Sequence, residues 1–304
     1  MPHSIMPASP AEHIAALQLL FQHFPPQESL ARIATALPLV QNAPRHHLKL
    51  LVAHGDQGLV GAMLMQALPG GTGIVWPPQV APASTEIEDE LIRSALAWLR
   101  EQGSRLAQAL LETDEVVLAE PLCRHGFTNP TRLWYLRHNL DWPPELLHAP
   151  GPLTFQSFRE VNRDAFYLTL MRTYRDTQDF PELNGLRSLE EVLQGHQAAG
   201  FDPGRWWLAS EGAQAAGVLL LAESDDPAEW EIAYVGVVPE ARNRGLGTEL
   251  VRRAMHESKQ AGMRSLTLSL DARNEPAWKL YRKLGFEPFA AREAFLLSIR
   301  GQFD

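Results

Sequence analysis

From Val237 the chain reads Val-Val-Pro-Glu-Ala-Arg-Asn-Arg-Gly-Leu-Gly-Thr, ending at Thr248. An apolar strand runs into a basic, glycine-bearing turn, and the turn opens a long amphipathic helix. Such a turn suits a pyrophosphate. Gly245 and Gly247 let the backbone approach closely and adopt positive φ. Free N–H groups over the first helical residues, Leu246 to Thr248, point at an anion, and the helix dipole favours negative charge there. Arg242 and Arg244, with Asn243 between them, add countercharge. A Walker loop is excluded because Thr248, not Lys, follows Gly247. A Rossmann fingerprint is excluded because Leu250 stands where its third glycine would be. What remains is R-x-x-G-x-G on Arg242, Gly245 and Gly247, a site for a phosphorylated cofactor.

The flanks narrow the choice. Upstream, an apolar strand from Trp230 to Pro239 carries one acid inside it, Glu231. Downstream, a strand from Ser265 to Leu270 precedes N-x-x-A-x-x-L-Y-x-x-L-G-F, which runs from Asn274 through Tyr281 to Phe286. These three linked motifs resemble the GNAT superfamily of acetyl-CoA-dependent N-acetyltransferases. The resemblance is close over residues 205 to 299 and loose over the earlier part of the second half. It implies acetyl-CoA as acyl donor, held by Val237, Val238, Arg242, Asn243, Arg244, Gly245, Leu246, Gly247, Thr248 and Asn274. It implies Glu231 as the strand base and Tyr281 as the acid. Glu229, on the same strand face, is the reserve base.

The chemistry needs those residue types. Attack of an amine on a thioester requires a neutral amine, a polarised carbonyl and a protonated leaving thiolate. A primary amine is mostly protonated at neutral pH, so a base or a water chain must remove a proton. A backbone N–H near Val237 would polarise the carbonyl. A phenol beside the sulfur would protonate the thiolate. Asn274 also suits the cap of the helix that follows it. Lys279, Arg282 and Lys283 read as a solvated helix face.

The elements around the site repeat. Glu249-Leu250-Val251-Arg252 opens a helical stretch that falls 159 residues after Glu90-Leu91-Ile92-Arg93, and Gly285-Phe286 falls 159 after Gly126-Phe127. Two copies of one α/β unit follow, each too long for a solenoid repeat. At the same offset Arg242 becomes Ala83, Gly245 and Gly247 become Glu86 and Glu88, Glu231 becomes Thr72, Asn274 becomes Glu115 and Tyr281 becomes Leu122. The expected fold is α/β, or α+β with a mixed sheet, in two tandem GNAT-like domains. Residues 1–145 form a degenerate copy without the cofactor motif, and residues 150–304 form the catalytic copy. This is similar to the tandem architecture of mycothiol synthase, in which the C-terminal copy is catalytic; the likeness bears on architecture and not on the acceptor. A Pro-rich stretch from Asp141 to Pro152 has the composition of a linker. The second half reads β-α-α-β-β-β-α-β-α-β, with helices over Val161 to Asp176 and Ser188 to Ala199 and a last strand at Ala294 to Ile299. Gly70-Gly71-Thr72-Gly73 reads as a hairpin turn and not as a phosphate loop.

Composition bounds the partners. The 304 residues give two domains room for their own cores, and the net charge of −9 argues against nonspecific nucleic-acid binding while suiting an amine acceptor. The single cysteine, Cys123, forms no intramolecular disulfide and fits a reducing compartment. No signal peptide or membrane span is apparent, so a cytoplasmic location without membrane partners is expected. His46-His47 lacks a third ligand, and no metal is assigned. The oligomeric state stays open; two copies in one chain could form a pseudo-dimer within a monomer.

The acceptor would lie against the first two helices of the second copy and the loop between them. Arg172, Tyr174, Arg175, Asp176, Asp179 and Glu182, with Phe180 as an apolar neighbour, offer the mixed charge that suits a small polar amine. Two alternatives remain open at this point. One is an acyl-CoA-binding sensor or scaffold without turnover, for which retention of both Glu231 and Tyr281 would be superfluous. The other is acylation of a protein N-terminus or lysine.

Overall fold

A computed structural model describes residues 3–42, 47–56, 58–140, 151–198 and 200–299. Most of the proline-rich linker stretch and His46 lie outside the described residues. The chain divides into two compact units, Met1–Pro130 with Glu293–Asp304, and Thr131–Arg292.

The first unit runs β1 (Ser4–Pro7), α1 (His13–Leu20), α2 (Pro26–Asn42), β2 (Leu48–Gly55), β3 (Gly58–Leu68), β4 (Thr72–Val75), β5 (Gln79–Val80), α3 (Thr85–Glu101), β6 (Leu106–Leu111) and α4 (Glu120–Arg124). Strands β1 to β4 pair antiparallel in sequence order, and β4 continues in parallel onto β6. The glycines before Thr72 make the β3–β4 turn, with φ of 87° at Gly70 and 74° at Gly71. Ser84 caps α3 by accepting the Ile87 N–H. That helix buries Leu91, Ile92, Ala95, Leu96 and Leu99 on one stripe against the sheet.

Next comes β7 (Thr128–Asn139), which crosses into the second unit. There follow β8 (Leu153–Ser157), α5 (Arg163–Thr173), α6 (Leu189–Ala198), β9 (Trp206–Glu211), β10 (Gln214–Glu223), β11 (Glu229–Val237), α7 (Leu246–Gln260), β12 (Ser265–Asp271), α8 (Glu275–Lys283) and β13 (Glu287–Ser298). The sheet of this unit runs β7-β12-β11-β10-β9-β8. Only the β11–β12 pair is parallel; the others are antiparallel. Helix α7 covers one face through Leu246, Leu250, Val251, Ala254 and Met255. Helices α5 and α6 cover the other, where Phe166, Leu170 and Val192 pack on Trp206, Leu208, Val218 and Leu220. Burying a side chain of this size is worth about 1.5–3 kcal/mol, which roughly offsets the cost of ordering the residue.

The repeat read from the sequence is a structural one. Both ends of β7 and β13, and the starts of β6 and β12, are related by the same offset. The division at 145 and 150 does not follow the packing. Residues 133–139 of β7 pair with β12 in the second unit, Leu133 opposite Asp271 and Asn139 opposite Ser265. Residues 293–298 of β13 pair with β6 in the first unit, Glu293 opposite Leu111 and Ser298 opposite Leu106. Each copy's last strand thus completes the sheet that contains the other copy's motifs. An alternating pattern says which face of a strand is buried, but not which sheet edge receives it. Strand β13 also begins well before the expected Ala294.

Candidate functional site

The site is built on a divergence of two strands. β11 and β12 pair only from Glu229–Ser265 to Glu231–Thr267. Beyond that rung both continue without each other, and a cavity of about 570 Å³ opens where they part. Its lining begins at Ile232 on one strand and Leu268 on the other. A bulge contributes to the divergence: Leu220 faces Tyr234 while Leu221 faces Ile232, so Ala233 is the extra residue on β11. A bulge bends its strand and re-aims the side chains beyond it. Gly236 permits the close packing that follows, because a Cβ there would stand 2.6 Å from Cβ of Thr173 and 2.8 Å from the Tyr234 hydroxyl oxygen.

The ladder fixes which backbone groups face the cavity. The Val238 N–H donates to the Ala216 carbonyl on β10 at 2.9 Å. Antiparallel alternation then turns the N–H of Val237, and that of Val235, away from β10 and toward the parted side. Val238 itself is buried, and its N–H is engaged; of the two valines of the motif, Val237 offers the free donor.

After Val238 a 3₁₀ turn, Pro239–Ala241, leads to Arg242, then to Asn243 at φ 60° and Gly245 at φ 80°. Gly245 caps α7 by its backbone alone, with no side-chain cap. The N–H groups from Asn243 to Gly247 donate to no described residue, while Thr248 turns back to the Gly245 carbonyl. Five undonated N–H groups around a helix start form a cradle for an anion. Gly247 faces α8, where an added Cβ would meet Leu280 at 3.2 Å. Asn274 caps α8 by accepting the Ala277 N–H at 3.3 Å, and it lines the same cavity.

The two arginines of the loop do different work from the countercharge expected of them. The Arg242 guanidinium donates to four carbonyls, those of Val237, Thr173, Arg175 and Asp176, at 2.5 to 3.1 Å. It ties the loop to the C-terminal end of α5, where helix carbonyls lack partners. Arg244 points out of the cavity and pairs with Glu211 at 2.7 Å. An arginine followed by glycines carries no sign in sequence of where its guanidinium turns. Arg242→Ala should lower stability by about 1–3 kcal/mol, because the carbonyls it serves lose a charged donor. Thermal unfolding would show this as a lower Tm; an unchanged Tm would show that the four bonds do not hold the loop.

Tyr281 lines the cavity from α8 and is buried, edge-on to Phe286 with ring centres 5.6 Å apart. Burial, with smaller contributions from Asp179 and Tyr234, holds its phenol above its ordinary value. Glu231 sits on the last paired rung, one residue below the lining. Burial, then the charges of Glu229 and Asp225, raise its carboxyl. Glu229 is committed elsewhere: it pairs with Arg137 at 2.9 Å and accepts from Ser265 and Ser224.

Apart from Tyr174, sequence reading did not single out the polar network behind the cavity. The Tyr234 hydroxyl and Thr173 Oγ1 lie 2.9 Å apart, and Tyr174 meets His196 at 2.7 Å. Burial drives His196 down to about 4, with Arg187 adding to the effect, so the imidazole is neutral at neutral pH. A tyrosine, Tyr234, inside an otherwise apolar strand run was the available signal. Among the described residues no group of three His, Cys, Asp or Glu side chains is placed to hold a metal, and no helix is long and apolar enough to cross a membrane.

The first unit fills the equivalent corner with an ion-pair network. Arg124 pairs with Glu88 at 2.7 Å and with Asp89 at 3.1 Å, and His125 lies 3.0 Å from Asp89. Carboxylates at the start of α3 thus occupy the place that a phosphate would need.

Residues 163–286 match the acetyltransferase (GNAT) family model. Mycothiol acetyltransferase of Nocardia farcinica is 28% identical over 255 residues, covering 81% of this chain and 80% of that protein. Among solved structures, a GCN5-related N-acetyltransferase from Sphaerobacter thermophilus has a TM-score of 0.62 at 19% identity, covering 99% of this chain and 97% of that one. A tandem GNAT protein from the clavulanic acid biosynthesis pathway has a TM-score of 0.54 at 16% identity, covering 99% and 100%. Identities this low show the fold alone in the two structures. Family model, relatives and fold point to one class: residues 163–286 match GNAT acetyltransferases, and the chain as a whole has the fold of a tandem GNAT protein.

Proposed function

We propose that the protein transfers an acetyl group from acetyl-CoA to the primary amine of a small polar acceptor, using the cavity of the second unit. One observation carries this reading: a single cavity joins the undonated N–H groups of the Arg242–Gly247 loop to the buried phenol of Tyr281. The loop would hold the pyrophosphate, and the parted strands would admit the thioester arm. The Val237 N–H would polarise the carbonyl oxygen as negative charge develops on it. The amine nitrogen bonds to the carbonyl carbon and the carbon–sulfur bond breaks. Glu231, just below the lining, takes through water the two protons that the nitrogen sheds, one as the ammonium becomes the free amine and one after attack; Tyr281 gives its proton to the departing sulfur and is restored by the second of them. The net products are an amide, free CoA thiol and one proton released to solvent. A phenol held above its ordinary value stays protonated at neutral pH, as a donor must be.

A thiol-release assay with acetyl-CoA against amino sugars, diamines, amino-acid amides and the acceptor used by mycothiol acetyltransferases tests the reading. Amine-dependent release of free CoA is the expected result. Tight acetyl-CoA binding without release for any amine would instead favour the sensor or scaffold. Release only with peptides would favour acylation of a protein N-terminus or lysine.

A further inference from the structure

The cavity carries one carboxylate that the transfer chemistry above leaves unused. Asp179, in the loop between α5 and α6, lines it together with Tyr234 and Tyr281. Its Oδ1 accepts the Asp271 N–H at 3.0 Å, and no cation pairs with it among the described residues. The nearest guanidinium is already divided: Arg273 lies 2.6 Å from Asp271 and 2.6 Å from Glu182. That arginine is therefore committed to the other two carboxylates of the group. Asp271 is fully buried and also accepts from Thr131 and from the Phe180 N–H. Asp179 is the member of the three that faces the cavity.

Aromatic rings stand around it. Tyr234 and Tyr174 stack with ring centres 4.8 Å apart, and the charge of Asp179 acts on the phenols of Tyr174, Tyr234 and Tyr281. Asp179 is exposed to water at the cavity, with protein crowding it from behind. That crowding, with the Asp271 charge, pushes its carboxyl up to about 6 against the opposing effect of the Asp271 N–H and of Arg273. The carboxylate is thus ionised at neutral pH without a full counterion. A cation beside it would gain from the charge and from the aromatic rings that share the lining, and a neutral group would gain less.

We infer that Asp179, with Tyr234 and Tyr281, forms a cation site that holds the acceptor as its ammonium ion. The inference rests on the proposed transfer reaction and names its substrate class. The acceptor is an aliphatic amine basic enough to enter protonated, and weakly basic amines such as arylamines are excluded from efficient use. Binding the ammonium form also places the nitrogen in the cavity that holds Tyr281 before its proton leaves.

The test separates binding from turnover. Methylammonium and tetramethylammonium chlorides are titrated calorimetrically into the full chain at about pH 7.5, without acetyl-CoA and against sodium chloride of equal ionic strength. Saturable binding of at least one organic cation is expected. It should weaken at least tenfold in Asp179→Asn, be largely kept in Asp179→Glu, and fade in wild type between about pH 7.5 and pH 5 as the carboxyl takes up a proton. Asn keeps an acceptor for the Asp271 N–H, and the wild-type pH series stands even if the variant misfolds. In turnover, Asp179→Asn should raise KM for the amine with little change in kcat or in acetyl-CoA affinity. Binding no better than sodium, or equal binding in wild type and Asp179→Asn, overturns the inference even where amine acetylation is observed. Cation binding with no acetylation of any amine would overturn the transfer reading and leave the cation site standing.

Discussion

Replacing Gly247 with Glu should weaken acetyl-CoA binding by the full chain at least about 100-fold. The expectation comes from the chain's own second copy. Where the first unit carries Glu88 at the equivalent position, that carboxylate is held in an ion pair with Arg124. In the second unit the same offset from Arg124 leads to Lys283 on the solvated end of α8, and the N–H groups from Asn243 to Gly247 stand undonated. A glutamate introduced at Gly247 would set a negative charge inside the cradle, where like charges in close juxtaposition cost several kcal/mol, and each 1.4 kcal/mol is tenfold in affinity. Its Cβ meets only side-chain ends, Leu280 at 3.2 Å and Val237 at 4.0 Å, so the fold should survive. Calorimetric titration of acetyl-CoA, with circular dichroism as the folding control, decides it. Undiminished affinity, or two equal sites per wild-type chain, would place the donor elsewhere.

Much of this site was legible because it is local in sequence. The strand, the glycine turn and α7 are contiguous, and a helix start that offers free N–H groups is specified by a few residues. The tandem repeat was legible because its offset holds without gaps. What the sequence hid was long-range. Nothing in Thr128–Asn139 states that it pairs with β12 and not with β6, since either edge satisfies the same alternation. The parting of β11 and β12 depends on the extra residue Ala233, a single alanine in an apolar run. Arg242 and Arg244 look alike in the motif, yet one braces α5 and the other meets Glu211. Asp179 stood among several charges of one loop. Only the fold brings it to the end of β12, where Arg273 is already taken by Asp271 and Glu182.

The roles proposed for Glu231 and Tyr281 would divide in their pH behaviour. Either Glu231→Gln or Tyr281→Phe should lower kcat on the order of 10²–10⁴-fold, the usual worth of a positioned base or acid. Neither should change acetyl-CoA affinity much, because neither side chain belongs to the Asn243–Gly247 cradle. For Glu231 the sign follows from its environment. Burial and the neighbouring Glu229 raise its carboxyl, so the basic form is lost, as pH falls, earlier than for an ordinary glutamate. The wild-type rate should therefore decline on the acid side through that raised value, and Glu231→Gln should lack this limb. Its deficit should shrink as pH rises toward the amine's own pKa, where the substrate arrives already neutral. The deficit of Tyr281→Phe should not shrink there, because a thiolate still leaves without a proton donor. It should shrink with acyl donors whose thiol is more acidic, for which departure needs less help. Glu229 cannot substitute without giving up Arg137 and Ser265, so Glu229→Gln should act through stability and not through the acid limb. Near wild-type rates at neutral pH in both Glu231→Gln and Tyr281→Phe would show that proton transfer runs through water or through another residue.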